Sequence, residues 1–141
     1  MIKIRRTQDG GLAVLLTNKT GAASVKGHLL DTSPDYDNAV ALTAIGVPDC
    51  IGVFLHSGVA DGAEAWVVIS GIADVYFSGS TTRNHLARIG FSNDTGEVAG
   101  QAISEAFPTS PFSTDKHFGE VGHVLESRTG AGLAKCILHF N

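Results

Sequence analysis

Apolar residues in this chain fall in short runs rich in Val, Ile and Phe, with Gly, Asp, Asn and Ser between them. That grammar belongs to strands; helices repeat apolar positions every three to four residues over longer stretches. It predicts strands at residues 2–6, 12–17, 39–45, 51–55, 65–71, 72–77, 85–89, 120–126 and 133–140. The last alternates most cleanly, placing Ala134, Cys136, Leu138 and Phe140 on one face and Leu133, Lys135, Ile137 and His139 on the other. A core face opposed to a mixed face suits an antiparallel sheet with one wet side. Gln8-Asp9-Gly10-Gly11 reads as a hairpin turn, as do Asp61-Gly62 and Asn93-Asp94-Thr95-Gly96, because Asp-Gly supplies the positive φ such turns need. Residues 101–107 carry the one pattern that suits a helical turn, and the Pro-containing stretch 107–115 reads as an exposed loop. No helical pattern is long enough for a βαβ crossover. The predicted class is all-β, a small antiparallel barrel or sandwich.

The chain also resembles itself. Ile51-Gly52-Val53-Phe54-Leu55-His56-Ser57 matches Val121-Gly122-His123-Val124-Leu125-Glu126-Ser127, and each is followed by a Gly-containing turn and a strand. Upstream, Lys26-Gly27-His28-Leu29-Leu30 matches Arg83-Asn84-His85-Leu86-Ala87 in the same order. Two pseudo-repeated β-units would each bury an apolar face against the other.

At 141 residues the chain suits one domain, 1–141. Its 43% hydrophobic and 17% charged content is enough for a core. A net charge of −4 argues against nucleic-acid binding by the body of the domain. No apolar run approaches the roughly 20 residues that span a bilayer, so no membrane partner is expected. The first residues lack the apolar core of a secretion signal. Two cysteines, Cys50 and Cys136, are too few for a disulfide scaffold; buried thiols and a single bridge are both open.

Chemistry-bearing motifs are sparse. No two of the six His lie closer than His117 and His123, so no metal-ligand spacing is visible and no metal is expected. Ser70 and Ser78 sit outside a nucleophile-elbow pattern. Gly130-Ala131-Gly132 lacks the strand–helix frame of a dinucleotide loop. Asp31, Asp35 and Asp37 lie around a Ser-Pro-Asp stretch where these residues favour turns. The reading is a non-enzymatic chain with no catalytic residues and no cofactor. Lys3, Arg5 and Arg6 concentrate positive charge in an acidic chain. Residues 1–7 form either a charge-guarded edge strand or a basic arm for an acidic partner surface.

The run Val68-Ile69-Ser70-Gly71-Ile72-Ala73-Asp74-Val75, the His85-Leu86-Ala87 strand, Val121-Gly122-His123-Val124-Leu125-Glu126-Ser127 and the closing Gly130-Ala131-Gly132-Leu133-Ala134-Lys135-Cys136-Ile137-Leu138 together resemble the small head decoration (cement) and head-fibre-type proteins of tailed bacteriophages. The resemblance spans residues 40–140. Two features depart from the pattern: His123 stands where a small or apolar residue is usual, and the second unit carries the 108–115 insertion.

The resemblance implies a structural virion protein on the outside of an icosahedral head, clamping neighbouring major capsid subunits. Its partners would be the major capsid protein and further copies of itself, with a trimer favoured. Contacts are expected from Lys3, Arg5 and Arg6 and from the aromatics Tyr36, Phe107, Phe112 and Phe118, since Arg and aromatic side chains are the usual interface anchors. Burial in the domain's own core is the competing expectation for the three Phe. A rival function is a receptor- or glycan-binding knob, with Trp66 or Tyr76 as stacking platforms, although both lie inside apolar strands.

Overall fold

Among the described residues, the alternation of apolar and polar side chains is satisfied by ten strands, nine of them short, and one helix. The computed structural model describes residues 2–107 and 113–140. In chain order the strands are β1 (Ile4–Arg6), β2 (Gly11–Asn18), β3 (Leu29–Thr32), β4 (Ala39–Leu42), β5 (Gly52–Phe54), β6 (Glu64–Phe77), β7 (Leu86–Ile89), β8 (Ala102–Glu105), β9 (Glu120–Val124) and β10 (Gly132–Leu138), with α1 (Thr114–Phe118) before β9. Their spatial order is β1-β2-β4-β3-β5-β6-β10-β9-β7-β8, with further pairings β2–β6 and β6–β8. Those extra pairings close two circuits that share the long β6. The first runs β2-β4-β3-β5-β6; the second runs β6-β10-β9-β7-β8 and is sealed by the Phe77–Ala102 pair. The class is all-β, and closure is ring-like rather than that of a regular barrel.

Successive residues of β6 serve different cores. Val67 packs with Leu30, Val40, Phe54 and Ala65 in one cluster. Its neighbour Val68 points the other way, joining Ala13, Leu29, Val53, Phe77, Ile89, Ala134 and Cys136 in a larger one. At roughly 1.5–3 kcal/mol for each fully buried large side chain, Phe54, Phe77, Leu29, Leu30 and Ile89 are principal contributors to stability.

The duplication is real at the level of hydrogen bonds. The Gly27 N–H donates to the Phe54 carbonyl at 2.9 Å, as the Asn84 N–H does to Val124 at 3.0 Å. Leu55 bonds Trp66 as Leu125 bonds Lys135, at 2.9 and 2.8 Å. Side chains repeat too. The Ser24 hydroxyl donates to the His56 carbonyl and that of Thr81 to Glu126, while Ser57 and Ser127 accept from the N–H groups of Lys26 and Arg83. Gly27 and Asn84 both adopt positive φ, 82° and 68°, which Gly takes freely and Asn better than most residues. Gly52 and Gly122 recur for a steric reason: a Cβ on Gly52 would stand 2.6 Å from the Val68 carbonyl oxygen, and one on Gly122 would overlap the Ile137 carbonyl oxygen. The paired strands approach too closely for any side chain there.

The two units differ in what covers them. Val53 and Val68 of the first are fully buried, whereas their counterparts in the second are the half-buried His123 and Ile137, which is 45% exposed. One duplicated face is thus core in the first copy and surface in the second.

Several local expectations are corrected. Residues 101–107 hold β8, not a helical turn, because Ala102 and its neighbours pair with β7 and the Ala102 carbonyl accepts from the Ser78 N–H. Those ladder bonds outweigh the helix preference of Ala and Glu. The helix comes instead from the end of the expected loop, where the Ser113 side chain accepts from the Lys116 N–H and Asp115 occupies the first turn. Residues 65–71 and 72–77 join into one β6, with a register shift opposite Leu12 and Ala13. β3 was not expected; four residues with only its first two buried carry too little alternation to be seen.

Candidate functional site

The basic amino-terminal strand lies at the margin of the sheet. β1 pairs antiparallel with β2, and Lys3, Ile4, Arg5 and Arg6 are all exposed. Among the described strands it has no neighbour on its other side, so its backbone groups there face outward. Arg5 stacks 4.5 Å over the Trp66 ring and meets His56 Nε2 at 3.1 Å. Trp66 is therefore covered by a cation, and Tyr76 is half-buried edge-on to His28, so neither is the open platform a sugar ring would need. A groove of about 460 Å³ runs beside the strand, lined by Ile2, Leu15, Thr17, Asp37, Asn38 and Glu64.

The aromatic candidates do not gather around that strand. Tyr36 is 57% exposed and pairs with Lys19, whose Nζ is 4.3 Å from the ring centroid. Phe107 and Phe118 are 49% and 46% exposed, so neither is a core residue; Phe107 lies beside His123 and Phe118 against His117. Phe112 lies outside the described residues. The sequence-derived contact residues thus form separate exposed spots.

A constellation that sequence spacing hid lies on β9 and just past β10. Glu120 Oε1 is 3.4 Å from His123 Nε2 and 3.3 Å from His139 Nδ1. The two imidazoles stack at 5.9 Å with 17° between planes. Register explains the meeting. Ile137 pairs with His123, so His139, two residues on, projects from the same face. Glu120 and His123, three apart, would face opposite ways on a regular strand. β9 has a bulge, since Ala87 pairs with Gly122 but Arg88 with Glu120, and the extra Val121 re-phases Glu120. Nothing in residue spacing announces such a bulge.

A second network missed by the sequence surrounds Arg88, which is almost fully buried. Its guanidinium donates to Glu105 at 2.6 Å, to both carboxylate oxygens of Asp94 at 2.7 and 2.8 Å, and to the Ile89 carbonyl at 2.9 Å. Lys116 Nζ bonds the second Glu105 oxygen at 2.5 Å. The Arg88 hydrogen bonds hold Asp94 below the usual carboxylate range, against the opposing pull of burial. Burial raises Glu105, but hydrogen bonds from Arg88 and Lys116 outweigh it and the net direction is down. Both cysteines are free and buried, and burial pushes each thiol up to about 12. No helix among the described residues is long and apolar enough to cross a membrane.

No protein-family model matches the sequence, and no curated protein does. A solved structure does match. The crystal structure of the N base of the head fiber gp8.5 in bacteriophage phi29 aligns with a TM-score of 0.60 and 14% identity, over 90% of this chain and 92% of that one. The two chains share a fold nearly end to end, so the chain is similar, at the level of fold, to a phage head-fibre protein.

Proposed function

We propose that the chain is a structural component of a phage virion, a decoration protein that binds the outside of an icosahedral head and clamps neighbouring major capsid subunits. The near end-to-end fold correspondence with the phi29 head-fibre base carries the reading. The exposed basic β1 supports it. Three cations in six residues on a chain of net charge −4 form a local field that attracts an acidic surface and fixes its register. The outward backbone edge of β1 also offers hydrogen bonds to an added strand, a common recognition mode. Binding would rest on shape and charge, with no bond-making step, and many copies on one lattice gain avidity from individually weak contacts. Self-association into a trimer would match three-fold lattice positions.

The test is binding of the purified protein to undecorated shells, comparing wild type with a Lys3→Ala, Arg5→Ala, Arg6→Ala triple variant at about 0.05 and 0.3 M salt, between which the screening length falls about 2.4-fold. The proposal expects lower occupancy for the variant and a weaker salt dependence. Unchanged occupancy with unchanged salt dependence removes the basic strand from the interface, and no binding by wild type removes the decoration role.

A further inference from the structure

We propose that Glu120, His123 and His139 form a binding site for a zinc-class divalent cation on the outer face of the β9–β10 pair. Each residue offers one donor atom, and the three atoms lie within 4.8 Å of one another. Without an ion, Glu120 Oε1 takes a hydrogen bond with His139 Nδ1 at 3.3 Å, and the same donor atoms have the spacing of a metal's ligands. Ligands about 2.0–2.1 Å from a tetrahedral zinc stand roughly 3.3 Å apart. The two carboxylate–imidazole separations here are 3.4 and 3.3 Å, converging on the same oxygen of Glu120.

The donor set selects the metal. Two imidazoles with one carboxylate suit zinc and its late first-row neighbours, whereas calcium and magnesium require an oxygen shell. The framework is stiff: His123 is held in the β9–β10 ladder and the His139 N–H donates to the Val121 carbonyl at 2.8 Å. Glu120 is largely buried while both imidazoles reach solvent, so an ion could enter from outside and complete its shell with water. The duplication adds an independent point. The first unit carries Cys50, Val53 and Ser70 at the corresponding places, so the site exists only where the second unit departs from the first. The inference does not depend on the decoration role.

Tag-free full-length protein titrated with Zn²⁺ alone, by calorimetry and by thermal melting, tests it. The expected result is one ion per chain, a melting temperature that rises with Zn²⁺ concentration, and a visible Co²⁺ spectrum of four-coordinate intensity. His123→Ala and His139→Ala, both at solvent-reaching positions, should each weaken binding by more than about 10-fold while circular dichroism of the metal-free protein stays the same. Glu120→Gln should do likewise; if it fails to fold, the two His variants decide. Absence of Zn²⁺ binding tighter than roughly 0.1 mM, or affinity unchanged in both His variants, overturns the proposal.

Discussion

Arg88→Ala should be among the most destabilising single changes in this protein. The substitution removes four hydrogen bonds from a side chain only 4% exposed, and leaves Asp94 and Glu105 facing each other's charge without the guanidinium between them. Breaking a buried ion pair from one side typically costs about 3–5 kcal/mol. The carboxylates here are 18% and 25% exposed and Lys116 stays on Glu105. Partial hydration and the remaining cation place the cost near the lower end, about 3 kcal/mol. An unfolding entropy of about 2.1 cal/mol/K per residue over 141 residues converts that to a fall in Tm of about 10 °C. The assay is urea unfolding and calorimetry at neutral and acid pH. Because the folded-state pKa values of Asp94 and Glu105 are depressed, their contribution is complete above the unfolded carboxylate values and lost as pH falls through the folded ones. The gap between wild type and variant should therefore narrow below about pH 4. Removing the guanidinium together with both of its carboxylate partners, as Arg88→Met with Asp94→Asn and Glu105→Gln, should recover part of the loss, with Lys116 released to solvent. A cost below about 1 kcal/mol, or a gap that does not change with pH, would refute the reasoning.

Other consequences follow from the same structure. Gly122→Ala should cost more than Gly52→Ala, because its Cβ overlaps the Ile137 carbonyl oxygen where that of Gly52 stands 2.6 Å from Val68; losses of about 2–4 kcal/mol or more are expected, with faster hydrogen exchange confined to the β9–β10 ladder for Gly122→Ala. Cys50 and Cys136, with thiols pushed up to about 12, should resist alkylation at pH 8 in the native protein and both react after denaturation; rapid native labelling would contradict their burial. Arg5→Ala should lower stability by less than about 1 kcal/mol, the scale of an exposed cation–π contact, while still weakening shell binding.

Strand patterning was legible where both faces of a strand had contrasting neighbours. β10 shows it: Ala134, Cys136 and Leu138 are buried as the alternation requires, with Lys135 and Ile137 facing out. Lys135 meets its cross-strand partner Asp74 at 3.1 Å on that wet face. The duplication was legible because Gly52 and Gly122 are fixed by the closeness of their partner strands, and such steric demands persist in sequence. The hairpin at Gln8–Gly11 followed from turn chemistry, and β1 and β2 pair across it. What stayed hidden depends on register. Arg88 lies opposite Ile103 on the next strand, and its carboxylate partners come from the intervening turn and from β8, whose local propensity reads as helix. Glu120 and His123 share a face only through the bulge at Val121. The contact aromatics were named for their type, and the structure leaves Tyr36, Phe107 and Phe118 exposed but scattered.

Electron cryomicroscopy of phage heads assembled without this protein and then incubated with it addresses the central proposal most directly. The account predicts ordered added density on the outer surface, repeated at equivalent lattice junctions, into which the two-ring fold fits with β1 against the shell. Heads indistinguishable from bare ones at saturating protein, or density with β1 turned to solvent, would contradict it.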